Sequence, residues 1–195
     1  MSQQSSAIVP GFIELCLPCI ALLPPSGDGW LHEVKHSGHR LLARRDGESV
    51  SLFERRGDDW TARFPQIVEA IRLLPAKSCA IDGQLVSRDK DGNTLSSPLQ
   101  ETNHDGNLAF YAFDLIEVNG FDLRRDPIEE RRRALADLLR EVSDILRFNP
   151  HFEREGAAVL RQACQMGFEG IISKRRGSRY LPGRCTNWLI SKMLD

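Results

Sequence analysis

A lysine lies between charged and imidazole-bearing neighbours in EVKHSGHR, residues 33–40, where an apolar stretch gives way to a glycine. An unprotonated amine can attack phosphorus if an aromatic slot, phosphate-binding cations and carboxylates for Mg²⁺ surround it. A free lysine, with a pKa of about 10.4, is only about one part in 2,500 neutral at pH 7. Nearby positive charge or burial must therefore lower the pKa of Lys35, and Arg40, Lys174 and Lys192 are candidates for this.

The elements that must hold these residues are mostly strands. WLHEVK (30–35) has the length and flanks of a strand, and a hairpin is predicted to turn at Asp46-Gly47. A second hairpin is predicted to join CAIDGQLVSR to the segment after Asp91-Gly92. The apolar LAFYAFDLIEV (108–118) predicts a buried strand that ends at Asn119-Gly120. GIISKR and NWLISKM predict the last two strands of the chain.

Three amphipathic segments predict helices between these strands. They cover about 64–74, 126–146 and 155–166. The second helix has Asp126 as its expected N-cap, Pro127 as its first residue and Glu129 at the capping-box position. Hairpins with helices inserted between them predict an α+β fold with antiparallel sheets, not a doubly wound parallel sheet.

The overall composition limits the class of protein. With 195 residues, 41% hydrophobic, and a formal net charge of −1, the chain can form one large domain or two lobes and has no global basic field. Nucleic-acid binding would depend on local clusters such as 131–133 and 174–176, although such runs are more often solvated faces. Five irregularly spaced cysteines favour a reducing cytoplasm, and neither a signal peptide nor a membrane span is recognised.

Five segments occur in an order that resembles the motif series of ATP-dependent DNA ligases. KHSGHR is similar to KxDGxR, IDGQLV to DGExV, YAFDLIEVNG to the following aromatic motif, EGIISKR to EGxVxK and WLISKM to WxKxK. One such motif is a weak signal, whereas five in register are specific. The resemblance runs from about Phe12 to Met193 and is strongest to the adenylation domain of bacterial end-joining ligases. It implies the nucleotidyltransferase fold of ligases and capping enzymes, similar to ATP-grasp, with two antiparallel sheets and flanking helices.

The resemblance also implies catalytic roles and cofactors. Lys35 would attack the α-phosphate of ATP and carry AMP as a phosphoramidate, releasing pyrophosphate. Lys174 and Lys192 match the lysines that draw charge off the triphosphate. Glu169 matches the carboxylate on the side of the metal, which would be Mg²⁺ or Mn²⁺.

A further set of positions matches the nucleotide-binding residues of that family. These are Glu33, Val34, Arg40, Arg55, Gln84, Phe113 and Glu169. Glu33 would read the adenine edge and Phe113 would stack on the base, while Arg40 and Arg55 would hold the ribose and a DNA phosphate. An aromatic face suits a purine, and cations near the α-phosphate stabilise its transition state.

Three positions depart from the family pattern, and each removes a charge. Ser37 stands where the family has Asp, Gln84 where it has Glu, and Ile190 where the last motif begins with a lysine. Charged hydrogen bonds contribute about 1.5–3 kcal/mol and neutral ones about 0.5–1.5 kcal/mol. Gln84 alone is therefore expected to lower the rate about tenfold.

We expect residues 1–11 to form a flexible tail and 12–195 an adenylation domain without the OB-fold domain that follows it in this family. The predicted function is self-adenylation by ATP in the sealing of nicked or broken double-stranded DNA. A separate OB-fold or DNA end-binding protein would be the partner. Two alternatives stay open: a degenerate domain that only binds nucleotide or DNA, and a decayed gene fragment.

Overall fold

The computed structural model describes residues 11–89, 108–140 and 144–193, which form two sheets and three α-helices. The strands are β1 (Cys16–Ile20), β2 (Trp30–Val34), β3 (His39–Asp46), β4 (Ser49–Glu54), β5 (Ser78–Ser87), β6 (Leu108–Val118), β7 (Phe121–Asp122), β8 (Leu146–Phe148), β9 (His151–Phe152), β10 (Gly170–Arg175) and β11 (Gly183–Lys192). The helices are α1 (Pro65–Arg72), α2 (Ile128–Leu138) and α3 (Gly156–Gln165). No helix within these described residues is both long and apolar enough to cross a membrane.

Both sheets are mixed rather than antiparallel. The first has the strand order β1-β11-β10-β2-β9, and the second has the order β4-β3-β5-β6-β7 with β8 also paired to β6. The predicted α+β class is confirmed, but β1–β11 and β6–β8 are parallel pairs, so the prediction of antiparallel sheets was wrong there. The first strand pairs with the last, so nearly the whole described chain lies between the two partners. No local turn signal in the sequence fixes the direction of such a pair.

Two predicted turns connect neighbouring strands of the second sheet. The turn between β3 and β4 begins at Gly47, one residue later than predicted, because Asp46 still belongs to β3. Asn119 and Gly120 turn β6 into β7, with φ of 50° and 84°. Such positive φ values suit a tight hairpin turn and favour Asn and Gly. The hairpin predicted after Asp91-Gly92 lies outside the described residues.

The helices α1 and α3 lie where they were predicted, whereas α2 differs at both ends. It begins at Ile128 with Pro127, not Asp126, as its N-cap, and it ends at Leu138. Leu146, which the prediction placed on the helix, instead begins β8 and is buried. A leucine that is buried in a strand can also match the helical period, so the pattern alone overextended the helix.

Strand β3 separates two cores. Leu41 packs with residues of α1 and α2 on one face of the second sheet. Leu42 packs on the opposite face with Trp188 of the first sheet, because adjacent residues of a strand point to opposite sides. On the outer face of the first sheet, Val159 of α3 packs against Ile171 of β10. The two sheets thus share an apolar interface, and the candidate site lies at its edge.

Candidate functional site

The ends of three adjacent strands bring Lys35, Glu169 and Lys192 together. The Lys35 backbone N–H donates to the Gly170 carbonyl at 3.0 Å, and Gly170 pairs with Lys192 across β10 and β11. Lys35 Nζ lies 2.5 Å and Lys192 Nζ 3.1 Å from Glu169 Oε2. Ser37 Oγ donates to Glu169 Oε1 at 2.5 Å. We call this group the mouth: Lys35, Ser37, Glu169 and Lys192.

Two glycines permit the close packing beneath the mouth. A Cβ atom on Gly38 would lie 2.1 Å from the Leu85 carbonyl oxygen, and one on Gly170 would lie 2.2 Å from the Ser191 carbonyl oxygen. These carbonyl oxygens belong to paired strands and cannot retreat without loss of backbone hydrogen bonds. The glycines of KHSGHR and EGIISKR therefore let the backbones that carry Lys35 and Glu169 approach their neighbours.

The mouth keeps its carboxylate ionised. Hydrogen bonds from Lys35, and to a smaller extent from Ser37 and Lys192, together lower the pKa of Glu169 to about 2, against the raising effect of burial. Glu169 is thus an anion at neutral pH and attracts both lysine side chains. Because the side chains of Lys35, Glu169 and Lys192 are 22%, 39% and 53% exposed, water screens this attraction.

A second group of charges lies deeper on the same sheet. The register pairs Glu33 with Ile172 and Lys174 with Trp188, which places Glu33 and Lys174 on one face. Lys174 Nζ lies 2.9 Å from Glu33 Oε1, and Arg132 Nη1 of α2 donates to the same oxygen. The three charged side chains are only 1–3% exposed. We call this group the floor: Glu33, Arg132 and Lys174.

Lys174 lies between two aromatic rings. Its Nζ is 4.1 Å from the ring centroid of Trp188 and 4.5 Å from that of Phe113, and it donates to the Phe113 carbonyl at 3.1 Å. Burial lowers the pKa of Lys174, while Glu33 opposes this effect. The half-buried Phe113 ring lines the cleft above the floor. The floor thus supports an aromatic face on which a flat base can stack.

Arg40 forms the opposite wall from the second sheet. Its Nε and Nη2 donate to the two oxygens of the buried Asp82 at 2.9 and 2.6 Å, and Nη2 also donates to the Cys16 carbonyl at 2.8 Å. Tyr180 Oη donates to Asp82 Oδ2 at 2.7 Å. Such a bidentate ion pair fixes the plane of the guanidinium. Gln84 lies opposite Arg40 in the β3–β5 register.

A cleft of about 390 Å³ gathers most of the predicted site residues. The predicted residues that line it are Glu33, Val34, Lys35, Arg40, Arg55, Gln84, Phe113 and Lys174. Glu169 and Lys192 adjoin it through Lys35. His36 and Trp188, which lie within the quoted motifs but were given no role, also line it, as do Asn149 and Arg184, which the sequence did not single out. Its size lies in the usual range for small-molecule sites, and an aromatic face with buried charges suits a purine nucleotide.

Comparison with known proteins agrees with this geometry. Residues 20–192 match the family model described as the ATP dependent DNA ligase domain. The chain belongs to the ATP-dependent DNA ligase family.

The relatives include multifunctional end-joining proteins. The chain is 36% identical over 185 residues to the multifunctional non-homologous end joining protein LigD of Pseudomonas aeruginosa, which covers 93% of this chain and 22% of that protein. LigD of Mycobacterium tuberculosis is 35% identical over 164 residues, which are 84% of this chain and 21% of LigD. The chain therefore spans about a fifth of the length of these relatives.

Solved structures show the same fold. The ligase domain of M. tuberculosis LigD matches with a TM-score of 0.80 and 31% identity, over 92% of this chain and 60% of that chain. A mycobacterial DNA ligase D complexed with ATP matches with a TM-score of 0.78 and 31% identity, over 93% of this chain and 60% of that chain. The predicted nucleotidyltransferase fold is thus confirmed.

The three departures from the DNA ligase pattern all lie at the cleft. Ser37 is part of the mouth, while Gln84 and Ile190 line the cavity. The floor, in contrast, contains Glu33 and Lys174, two residues that the sequence resemblance predicted for the site. The altered charges are therefore confined to the mouth and the cleft walls.

A divalent cation would find one acidic side chain in the mouth. Within residues 11–89, 108–140 and 144–193, no group of three or more His, Cys, Asp or Glu side chains could hold a metal ion. Mg²⁺ is usually bound by one or two carboxylates together with substrate phosphates. Glu169 fits such a shared site, provided that Lys35 and Lys192 turn from its oxygens toward the phosphates.

The basic run 131–133 is not a surface patch, although the sequence allowed that reading. Arg131 is fully buried and binds Asp114 through two hydrogen bonds of 2.7 and 2.8 Å. Arg132 belongs to the floor, and only Arg133 of the three is exposed. The signal that could have revealed this is helical spacing, because Arg131 and Arg132 lie three and four residues after the buried Ile128.

Proposed function

We propose that this chain acts as the adenylation domain of an ATP-dependent DNA ligase of the end-joining type. The observation that carries the proposal is the shared cleft, into which Lys35, the Phe113 ring and Glu33 all open. A purine would stack on Phe113 with its amino edge toward Glu33. Its phosphates would then extend toward the mouth, where Lys35 and Lys192 lie.

In the proposed reaction, the deprotonated Lys35 Nζ attacks the α-phosphorus of ATP. The Nζ–P bond forms while the bond from phosphorus to the bridging oxygen of pyrophosphate breaks, and pyrophosphate leaves. The proton lost by Lys35 passes to water at the partly exposed mouth. Lys192, which lies beside Glu169 in this structure, would also turn toward the phosphates and add positive charge there. Mg²⁺ or Mn²⁺ held by Glu169 and phosphate oxygens would supply further charge neutralisation.

The proposed acceptor of AMP is the 5′-phosphate of nicked or broken double-stranded DNA. Two observations support this substrate: the relatives are named as end-joining proteins, and the exposed Arg55 lines the cleft where a phosphate can reach it. Residues 12–195 would form the adenylation domain, and an OB-fold or DNA end-binding protein would close over the DNA. The proposed place of action is the bacterial cytoplasm.

The test is the intact mass of the purified protein after incubation with ATP and Mg²⁺. The expected result is the addition of one AMP to the natural protein and none to Lys35→Ala. Lys77→Ala is the matched control, because Lys77 is an exposed lysine remote from the cleft lining. It should gain AMP as the natural protein does.

Two outcomes would overturn the proposal. An adduct that survives in Lys35→Ala would assign the chemistry to another residue. An adduct that forms only in a Ser37→Asp/Gln84→Glu variant would mean that the cleft binds nucleotide without self-adenylation, so the chain would be a binding module.

A further inference from the structure

The guanidinium of Arg132 connects several parts of the cleft. Its Nη1 donates to Glu33 Oε1 and to the Phe113 carbonyl, the latter at 3.2 Å. Its Nη2 donates to the Asn149 carbonyl at 2.6 Å and lies 3.3 Å from His151 Nδ1. One side chain from α2 thus fixes a carboxylate and the backbone of the residue whose ring lines the cleft.

The two oxygens of Glu33 are used unequally. Oε1 receives both cations of the floor, Arg132 and Lys174. Among the residues that the structure describes, Oε2 accepts only from Asn149 Nδ2, at a long 3.3 Å. An ionised carboxylate oxygen can accept two hydrogen bonds. Oε2 therefore keeps the capacity to accept a hydrogen bond from a ligand in the cleft.

The free hydrogen-bond acceptor capacity of Glu33 Oε2 can discriminate between adenine and guanine. Adenine carries an amino group at position 6 and can donate to a carboxylate oxygen. Guanine carries a carbonyl oxygen there, which would face an acceptor with an acceptor. A site built to bind a donor rejects a ligand without one, because its buried polar group stays unpaired.

We propose that Arg132 is a positioning residue that makes the cleft select adenine over guanine. It anchors Glu33 through Oε1, so that Oε2 is left for the 6-amino group, and it holds the Phe113 backbone at the distance that the base requires. The inference rests on the proposed function of the cleft as a nucleotide site. Arg132 itself acts through Glu33 and Phe113.

Lysine cannot replace Arg132 in this role. Arginine presents several N–H groups in a rigid plane and can contact Glu33, Phe113 and Asn149 together, whereas a lysine ammonium is a single point of charge. Arg131 is a matched control on the same helix. It is also buried and binds Asp114, the Asp126 carbonyl and the Ser178 carbonyl, but none of these partners lines the cleft, whereas Glu33, Phe113 and Asn149 do.

The experiment measures dissociation constants by calorimetry for AMP and GMP with the natural protein, Arg132→Lys and Arg131→Lys. We expect the natural protein to prefer AMP, and Arg132→Lys to weaken AMP binding about tenfold or more, since a charged hydrogen bond is misplaced. GMP binding should change little, so the preference collapses. Arg131→Lys should lower the melting temperature but keep the AMP to GMP ratio.

A ligand series tests the same idea without any variant. Purine riboside monophosphate lacks the 6-amino group but keeps the ring and the phosphate. The natural protein should bind it about tenfold more weakly than AMP, because Glu33 Oε2 then has no donor. Equal affinity for the two ligands would overturn the inference, even if Arg132→Lys fails to fold.

The outcomes separate this inference from the proposed function. An unchanged AMP to GMP ratio in folded Arg132→Lys, or an equal loss for both nucleotides, would overturn the role of Arg132 alone. A natural protein that binds and selects AMP but forms no covalent adduct would reject the proposed reaction and leave the inference supported. A natural protein that binds neither AMP nor GMP would reject both.

Discussion

The floor and the mouth contain the same arrangement of charge in different surroundings. In the floor, Glu33 is shared by Arg132 and Lys174, and in the mouth, Glu169 is shared by Lys35 and Lys192. The floor side chains are at most 3% exposed, whereas those of the mouth are 22–53% exposed.

This difference in exposure gives the two groups different roles: the floor fixes the geometry of the cleft, and the mouth can change its contacts. Charges in the floor cannot exchange their partners for water, so they fix geometry. Charges in the mouth can exchange partners at low cost, as the proposed reaction of Lys35 requires. Burial, and not the pairing itself, thus decides which lysine side chains can change partners.

The largest effect is expected from Glu33→Gln in the floor. The neutral amide would leave Arg132 and Lys174 as buried cations without the carboxylate that both contact. Breaking a buried ion pair in this way costs about 3–5 kcal/mol of unfolding free energy. In a chain of this size the melting temperature should fall by about 10 °C, measured by thermal unfolding.

Glu130→Gln is the matched control for this change. Glu130 pairs with Arg133 on the same helix as Arg132, but both side chains are more than half exposed. Its loss should change stability by less than about 0.5 kcal/mol. Equal losses of melting temperature in Glu33→Gln and Glu130→Gln would mean that water reaches the floor. The contrast between a buried floor and an exposed mouth would then be wrong.

His36 tests how far the buried surroundings of the floor extend toward the mouth. His36 follows Lys35 in the sequence, but its ring is buried and stacks on Tyr111 with ring centroids 3.9 Å apart. Its Nε2 atom lies 3.0 Å from Asn149 Oδ1. Burial is the main cause that lowers the pKa of His36 to about 4; the hydrogen bond with Asn149 opposes it, and the charge of Lys35 adds to it.

The sign of the pH dependence follows from that lowered pKa. The unfolded chain takes up a proton on His36 below about pH 6.5, while the folded chain resists it until about pH 4. The contribution of His36 to the free energy of unfolding is therefore fully present above pH 6.5. It is lost as the pH drops to 4, by up to about 3 kcal/mol. Urea unfolding should show a smaller acid loss in His36→Gln, and parallel pH curves for the two proteins would contradict the burial of this ring.

Glu169→Gln makes the same change in the mouth that Glu33→Gln makes in the floor: a carboxylate shared by two cations becomes a neutral amide. Because the pair with Lys35 is partly exposed, stability should change by less than about 1 kcal/mol. The rate of AMP adduct formation should nevertheless fall about tenfold, because a neutral amide would hold Mg²⁺ or Mn²⁺ at the phosphates less well than the carboxylate does. The time course of intact mass measures this, and a stability loss as large as that of Glu33→Gln would contradict the distinction.

The sequence predicted the mouth better than the floor. Lys35, Glu169 and Lys192 lie at strand ends within short motifs, and strand ends can be located from local turn and hydrophobic signals. Once those strands are adjacent, the three residues must meet. Glu33 and Lys174 were also located by motif, but not their ion pair or the depth at which it lies.

Arg132 shows why the floor could not be predicted fully. A run of three arginines usually marks a solvated surface, and its partners Glu33 and Asn149 are distant in the sequence. The parallel pairing of β1 with β11 is non-local in the same way. Contacts that depend on how whole elements pack leave little trace in local spacing, so only the helical position of Arg132 hinted at its burial.

The smallest effect is expected from Ser37→Asp, which introduces the residue of the family pattern. Ser37 Oγ donates to Glu169 Oε1 at 2.5 Å, and aspartate at this position would replace that donor with a second anion. The attraction of Lys35 and Lys192 for the new carboxylate should largely offset its repulsion from Glu169. Stability should therefore change by less than about 1 kcal/mol, and the rate of adduct formation by less than about threefold.

Salt and a second variant separate these opposing terms. Ser37→Ala removes the hydrogen bond without adding charge, so its stability should depend on salt as that of the natural protein does. Ser37→Asp should respond differently to salt, since the added charge is screened at high ionic strength. A rise in adduct formation of about tenfold in Ser37→Asp would contradict this prediction. It would show that the mouth lacks an essential anion, and that the charged side chains of the mouth change partners less readily than their exposure implies.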